Sequence, residues 1–373
     1  IAFKDNQPYC SWANWSAKKW NFVNMGLNAC KASCANPIYR HTNGVTIKAA
    51  DCAEAGKEYL FEGQKYYVAR DKNDINAKIR ANAYPANRIV TTRVTDMSNM
   101  FRWAQTFNQP LNNWDTSKVT DMKRMFLLAK AFNQPLNNWD TSKVTTMHGM
   151  FNWAEAFDQP LNNWDTSKVT AMQGMFAWAK AFNQPLNNWD TSKVTNMSSM
   201  FAWAQAFKQP LNNWDTSEVT GMSSMFAWAQ AFNQPLNNWN TSKVTTMHGM
   251  FHSAKAFNQS LNNWNTSKVT DMGDMFLWAE AFDQPLNNWN TSNVTSMSWM
   301  FAQAYAFKQP LNNWDTSKVT NMNSMFVGAH RFNQPLNNRR INQIWDENLK
   351  DMFRRAIAFK DNQPYCSWAN WSA

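Results

Sequence analysis

The 373-residue chain lacks the features that mark most enzymes and membrane proteins. No apolar run reaches about 18 residues, the length that a transmembrane helix needs. Only 10 glycines occur, and none of them belongs to a phosphate-binding loop. The motifs His-Glu-x-x-His and Gly-x-Ser-x-Gly are also missing. We therefore expect no catalysis, no bound metal or cofactor, and no membrane insertion of this segment.

Cysteine is missing from the long stretch between residues 53 and 365. The five cysteines are Cys10, Cys30, Cys34, Cys52 and Cys366, and the last of these is a repeat copy of the first. An even, clustered set of four predicts two disulfides in an oxidising compartment, with three possible pairings. A zinc site that uses the closest cysteines with His41 is the alternative. It lacks the second close cysteine pair of structural zinc sites.

Repetition is what the chain has in abundance. A motif of the form Phe-Asn-Gln-Pro-Leu-Asn-Asn-Trp begins at Phe107 and returns every 25 residues, ten times in all, up to Phe332. Each copy leads into Asp/Asn-Thr-Ser-Lys-Val-Thr, then Met-x-x-Met-Phe, then an Ala-rich stretch. A fixed period of this kind predicts stacked units that bury their apolar faces against one another. We expect a rod that holds or spans something.

A longer period encloses the short one. Residues 1–17 return letter for letter as residues 357–373, a period of 356 residues (357 minus 1). We interpret the chain as one long period followed by the start of the next, within a longer tandem polypeptide. A monomer with duplicated ends is the alternative.

The residue spacing within one repeat predicts two short elements. Met122, Met125, Phe126 and Ala129 follow a capping residue at helical spacing, which predicts a helix of about two turns. Pro135 blocks its continuation, and the next four residues predict a short extended segment. The expected fold class is therefore an α/β repeat solenoid of about ten strand-plus-short-helix coils.

Two rows of tryptophan run through the repeats. The inner row ends each motif and is Trp114, Trp139, Trp164, Trp189, Trp214, Trp239, Trp264, Trp289 and Trp314. The outer row is incomplete and consists of Trp103, Trp153, Trp178, Trp203, Trp228 and Trp278. The outer row lies roughly 100° or more from the predicted apolar helix face, which indicates partial exposure. It serves either to pack repeats together or as a stacking surface for sugars or a neighbouring rod.

The chain divides into four parts by composition. Residues 1–43 form a Cys/Trp-rich, disulfide-linked insert with an irregular backbone, and residues 44–87 form a lead-in module of a β-hairpin and a helix. In that module we expect strands at 45–47, 59–61 and 66–68, with a turn at Glu62-Gly63-Gln64 and a helix over 71–83. Residues 88–356 contain the repeats, and 357–373 begin the next long period.

The formal net charge is +10, but the lysines are dispersed at about one per repeat, three residues after an Asp or Asn. This pattern predicts a solvated face of mixed charge and no nucleic-acid partner. Asn-x-Ser/Thr triplets, which are candidate N-glycosylation sites, occur at Asn14, Asn196, Asn240, Asn258, Asn265, Asn290, Asn293 and Asn370. The Trp-x-x-Trp spacing makes Trp12 and Trp368 candidates for C-mannosylation.

The motif Asn-Gln-Pro-Leu-Asn-Asn-Trp-Asp-Thr-Ser-Lys-Val-Thr-x-Met-x-x-Met-Phe resembles the repeats of BspA-like leucine-rich-repeat surface proteins over about residues 88–338. The resemblance implies a leucine-rich-repeat-like solenoid on a secreted or cell-surface protein associated with adhesion. Met, Phe and Trp largely replace the usual Leu framework here, and the Cys/Trp-rich insert is a second departure.

Two functional hypotheses follow. The first is a non-catalytic structural segment of an extracellular or cell-surface fibre, whose partners are further copies of itself, head to tail or in tandem. The second is a cell-surface adhesin or glycan-binding repeat protein that contacts glycans or matrix.

Overall fold

The computed structural model describes residues 34, 36–335 and 351–359. The chain divides into two compact units. The first comprises Ile1–Asp96, Gln109–Lys118 and Asn138–Asp140, and the second comprises Met97–Asn108, Val119–Asn137 and Thr141–Ala373. None of the described helices combines the length and the apolar character needed to span a bilayer.

The first unit contains two small sheets. In one, β1 (Ile38–Arg40) pairs antiparallel with β2 (Ile47–Ala49). In the other, β3 (Glu58–Phe61) pairs antiparallel with β4 (Gln64–Val68), which pairs parallel with β5 (Ile89–Val90). The helix α1 spans Lys72–Arg80, and a short 3-10 helix spans Ala86–Arg88.

A two-residue turn, Glu62-Gly63, joins β3 to β4 in a hairpin. Glu62 and Gly63 both have positive φ, at 50° and 71°, as a two-residue hairpin loop of the mirror-image type requires.

The expected strand at 45–47 is wrong in its position, because β2 begins at Ile47. The expected irregular backbone up to residue 43 is wrong at β1 (Ile38–Arg40), which forms only because β2 supplies its partner.

The core of the first unit lies beneath these strands and is closed by a buried carboxylate. Ile47, Val68 and Val90 are at most 2% exposed. Asp74, on α1, accepts hydrogen bonds from the Tyr67 hydroxyl at 2.8 and 2.9 Å. It also accepts from the Arg70 backbone N–H at 3.0 Å, so its buried charge is solvated by donors in place of water.

A disulfide joins Cys34 to Cys52 across 18 residues. It occupies both sulfurs, which removes Cys34 from the alternative zinc site. A disulfide that closes a loop of this length stabilises the folded state by about 3 kcal/mol in the chain-entropy account. Cys10, Cys30 and Cys366 lie outside the described residues, so the second disulfide stays a prediction.

The second unit contains the tandem repeats, but each repeat is built from turns. The predicted short helix is wrong, because among the described residues the only α-helix is α1. Arg124 and Leu128 have φ values of 53° and 62°, in the left-handed region, and this pattern recurs in later repeats. An α-helix cannot contain such residues at every fourth position.

The predicted extended segment is also misplaced. The residues after each Pro form a turn, whereas single parallel β-bridges join consecutive repeats further along the chain. The bridging residues are Asp121, Thr146, Ala171, Asn196, Gly221, Thr246, Asp271, Ser296 and Asn321.

Backbone hydrogen bonds alternate between the repeat and its neighbour. The N–H groups of Gly174, Phe176 and Trp178 donate to carbonyl groups of the next repeat, at 2.9, 2.9 and 2.7 Å. The N–H groups of Ala177 and Ala179 donate back into their own repeat instead, at 3.2 and 3.0 Å. Successive N–H groups therefore alternate: one donates within its own repeat and closes a turn, and the next donates to the following repeat.

Aromatic rings fill the centre of each repeat. Phe176 and Phe182 stack within one repeat at 4.0 Å between centroids, and Phe176 stacks on Phe201 of the next at 5.7 Å. Met172 and Met175 beside them are 0% exposed. Full burial of one such side chain contributes about 1.5–3 kcal/mol, so the core stabilises a repeat only when a neighbour covers it.

The inner Trp row adds a polar link between repeats. The indole N–H of Trp189 donates to the carbonyl of Leu161 in the preceding repeat at 3.0 Å, and that of Trp214 donates to Leu186 at 3.0 Å. These indoles are 4% and 2% exposed, so their donors depend on the neighbouring repeat for a partner.

We predict that Trp214→Phe lowers the free energy of unfolding of the repeats by about 2 kcal/mol, because it removes a buried hydrogen bond and part of a ring. Urea unfolding followed by circular dichroism measures the change. Trp178→Phe, on the partly exposed outer row, is the matched control and should cost less. An equal cost for the two variants would contradict the role assigned to the indole N–H.

Candidate functional site

The outer Trp row is the most prominent partly exposed feature of the second unit. Its members occupy one left-handed position per repeat, with φ between 57° and 68°. Other repeats place Leu128, Ser253, Gln303 or Gly328 there. A bulky side chain at positive φ is uncommon and costs about 1–2 kcal/mol, so the fold imposes this conformation whatever the residue.

Four of these tryptophans form a closed column, here called the Trp column: Trp153, Trp178, Trp203 and Trp228. Consecutive rings stack face to face with centroids 4.0, 4.1 and 4.2 Å apart. The inner row is looser, for example 6.4 Å between Trp189 and Trp214. Because each face in the middle of the Trp column is covered by the next ring, only ring edges meet solvent.

Charged side chains flank the Trp column. The ammonium groups of Lys130 and Lys180 each lie 5.7 Å from a ring centroid, over Trp153 and Trp178. Glu155 pairs with both lysines, at 3.2 and 2.8 Å. The hydrogen bond from Lys180 is the main reason why the pKa of Glu155 is lowered. These charges complete a packed surface with little room for a ligand ring.

The two remaining outer tryptophans are isolated and more exposed. Trp103 is 59% exposed, and the Arg102 guanidinium lies 5.5 Å from its ring centroid. Trp278 is 39% exposed and has a single ring contact, edge to face with Tyr305 at 6.2 Å. The outer row predicted from the sequence is therefore three separate features of different accessibility.

Apart from the buried Asp115, the dispersed carboxylates of the Asp/Lys pattern are exposed. Asp165 and Asp190 are exposed, and hydrogen bonds from Ser167 and Ser192 lower their pKa values. Where the lysine row is interrupted, the substitute accepts from the next lysine: Glu218 pairs with Lys243 at 2.6 Å. Such exposed pairs contribute little stability, about 0–1 kcal/mol.

The candidate glycosylation sites differ in their surroundings. Asn240, Asn265 and Asn290 are exposed, and each side chain accepts a hydrogen bond from the backbone N–H two residues later, at 3.0–3.1 Å. Asn196, Asn258 and Asn293 are half-buried and hydrogen-bonded. Asn14, Asn370, Trp12 and Trp368 lie outside the described residues. Modification at any of these positions stays a prediction.

Sequence reasoning missed one titratable cluster. His248 lies between two carboxylates of the next repeat, with Nδ1 3.5 Å from Asp271 and Nε2 3.5 Å from Asp274. Burial raises the pKa of Asp274 and lowers that of the nearby His252. The signal available in the sequence was that both carboxylates follow His248 at a spacing close to one repeat.

Among the described residues, no group of three or more His, Cys, Asp or Glu side chains could hold a metal ion.

A family model described as "Mycoplasma protein of unknown function, DUF285" matches the chain three times in tandem, over residues 73–189, 172–282 and 258–368. The chain belongs to this family. A search of curated proteins finds no match. The DUF285 assignment establishes a tandem-repeat protein, and its description states no activity.

We predict that Trp178→Gly is more stable than Trp178→Ala by about 1 kcal/mol, because only Gly adopts φ near +60° without cost. Both variants lose the same ring, so the difference in urea midpoint isolates the backbone. Ala177→Gly, at a neighbouring position outside the left-handed region, is the control and should be destabilising. Greater stability of Trp178→Ala than of Trp178→Gly would show that this position is not left-handed.

We predict that stability falls as the pH drops below about 6.5, because burial lowers the pKa values of His148 and His252 in the folded chain. The unfolded state then binds more protons than the folded state. Urea midpoints at about pH 7.5 and about pH 5.5 measure this slope, which the double variant His148→Gln/His252→Gln should flatten.

Asp274 acts in the opposite direction, because a raised folded pKa means that stability is lost as the pH rises through it. Asp274→Asn should therefore steepen the loss of stability on acidification. The lowered pKa of Glu155 acts below about pH 4.5 and does not contribute in this window. If the urea midpoint of the double His variant changes with pH as much as that of the unmodified chain, His148 and His252 are not the source of the loss of stability at low pH.

Proposed function

We propose that the repeats of this DUF285 protein form a leucine-rich-repeat-like solenoid of the BspA-like type, and that the chain is a non-catalytic structural segment of an extracellular or cell-surface fibre. The units of that fibre are the 356-residue periods, and its partners are further copies of the same sequence.

The solenoid is supported by the hydrogen bonds and the core together. Parallel bridges recur once per repeat from Asp121 to Asn321, and the Phe rings stack in the same order. A unit held this way cannot bury its rings alone, which is the physical basis of a solenoid.

The fibre is supported by the long period. Residues 1–17 and 357–373 are identical, and in the proposed fibre one Cys/Trp-rich insert lies at each junction between long periods. The disulfide Cys34–Cys52 fits an oxidising compartment, because such bonds persist outside the cytosol. The repeats between Cys52 and Cys366 contain no cysteine, so no disulfide ties one repeat to another.

Negative-stain electron microscopy of the native material tests the fibre. We expect filaments whose axial repeat corresponds to one 356-residue period, and we expect reduction to make them flexible at the junctions while the repeats keep their circular dichroism. Isolated particles at all concentrations, or filaments that survive reduction while the repeats unfold, would refute the proposal.

A further inference from the structure

Trp278 differs from every member of the Trp column in having no stacking partner. The neighbouring repeats place Ser253 and Gln303 at its row position, in place of another indole. Ser253 is 1% exposed and too short to cover a ring. Trp278 itself is 39% exposed, although it carries the same strained backbone, with φ at 57°.

Trp278 is 39% exposed, and neither face of its indole has an aromatic ring stacked on it. Its single ring contact is with Tyr305, at an interplanar angle of 85°, and one contact of this kind can cover one face at most. The side chain of Gln303 points away, because its amide lies within 2.8 Å of where a Cβ on Gly328 would be. Because Gly328, in the next repeat, has no side chain, the Gln303 amide can occupy the space above it.

By equivalence with the Trp column, polar side chains lie beside the Trp278 ring. In the Trp column, the residue two positions after Trp178 is Lys180, whose ammonium lies beside the ring. Glu280 holds the equivalent position after Trp278 and pairs with Lys255 at 2.9 Å. Both side chains are partly exposed, at 34% and 47%, so they can exchange water for ligand hydroxyls.

The local charge argues against an anionic ligand. No Lys or Arg occurs between residues 269 and 307, whereas Asp271, Asp274, Glu280 and Asp283 all fall in that stretch. A nucleic acid would bring phosphates to a surface where carboxylates outnumber the nearby cations. Lys255 and Lys308 already pair with Glu280 and Asp283, the two carboxylates that follow Trp278 in this stretch. A cationic ligand therefore gains little there.

We propose that Trp278 is a binding platform for a neutral pyranose ring, with Glu280, Lys255 and Tyr305 as its polar border. A β-linked pyranose with equatorial hydroxyls presents a flat C–H face that packs on an indole, while its hydroxyls reach the surrounding polar groups. The Trp column does not serve in this way, because its inner faces are covered by one another and its end rings, Trp153 and Trp228, have Lys130 and His252 against them. This site is independent of the fibre proposal.

Isothermal titration calorimetry with cellotriose and with N,N′,N″-triacetylchitotriose tests the site on the full chain. We expect weak binding of at least one of the two, in the range of about 1 mM. Trp278→Gly should weaken it by at least about tenfold, because it removes the platform and retains a residue that suits the left-handed backbone, as Gly328 does.

Trp103→Gly is the matched control, because it removes an isolated and exposed outer-row tryptophan without uncovering another indole, and it should keep the affinity of the unmodified chain. Trp278→Phe should retain most of the binding, since a smaller ring still offers a face. The proposal fails if neither sugar binds at about 10 mM, or if Trp278→Gly and Trp103→Gly weaken binding equally. It also fails if choline or an oligothymidylate binds more tightly than either sugar.

Discussion

The structure of the second unit depends on how its backbone donors are divided. Alternate N–H groups around Gly174, Phe176 and Trp178 leave their own repeat and bond to the next one. An unpaired buried donor costs about 1–3 kcal/mol, so a repeat deprived of its neighbour loses several such terms together with the cover of its Phe rings. Backbone bonding and core burial therefore fail together, which couples adjacent repeats in folding.

This division also explains the left-handed positions. A chain whose N–H groups point alternately inward to a turn and outward to a neighbour has to reverse its local handedness at regular intervals, here near residues 174 and 178. Gly occupies one of these positions and Trp the other. At both positions φ is near +60°, which is strained for any L-residue, so packing must offset the strain. The stacked rings of the Trp column contribute that packing.

The sequence was enough to predict which residues are buried and the period at which they recur, because both follow from the spacing of Met, Phe and Trp. The backbone that carries them was not predictable by the same route. The intervals from Met122 to Ala129 fit one helical face, yet a row of turns places the same residues inward, and spacing alone does not distinguish where the N–H groups bond. The strand β1 was missed for a related reason, since its partner β2 decides it.

The candidate sites were predictable only as rows, because equivalent positions look alike in a repeat sequence. What separates them is the neighbouring repeat: Trp178 is covered by Trp203, whereas the repeats on either side of Trp278 have Ser253 and Gln303 at the same position. In a protein built by repetition, a surface that can select one partner arises where the repetition is broken. The residues at positions 253, 303 and 328 are such breaks, because each keeps the left-handed backbone of the row without carrying an indole. Variation in the outer row can therefore change what a repeat presents to solvent while the inner Trp row and the Phe core hold the coils together.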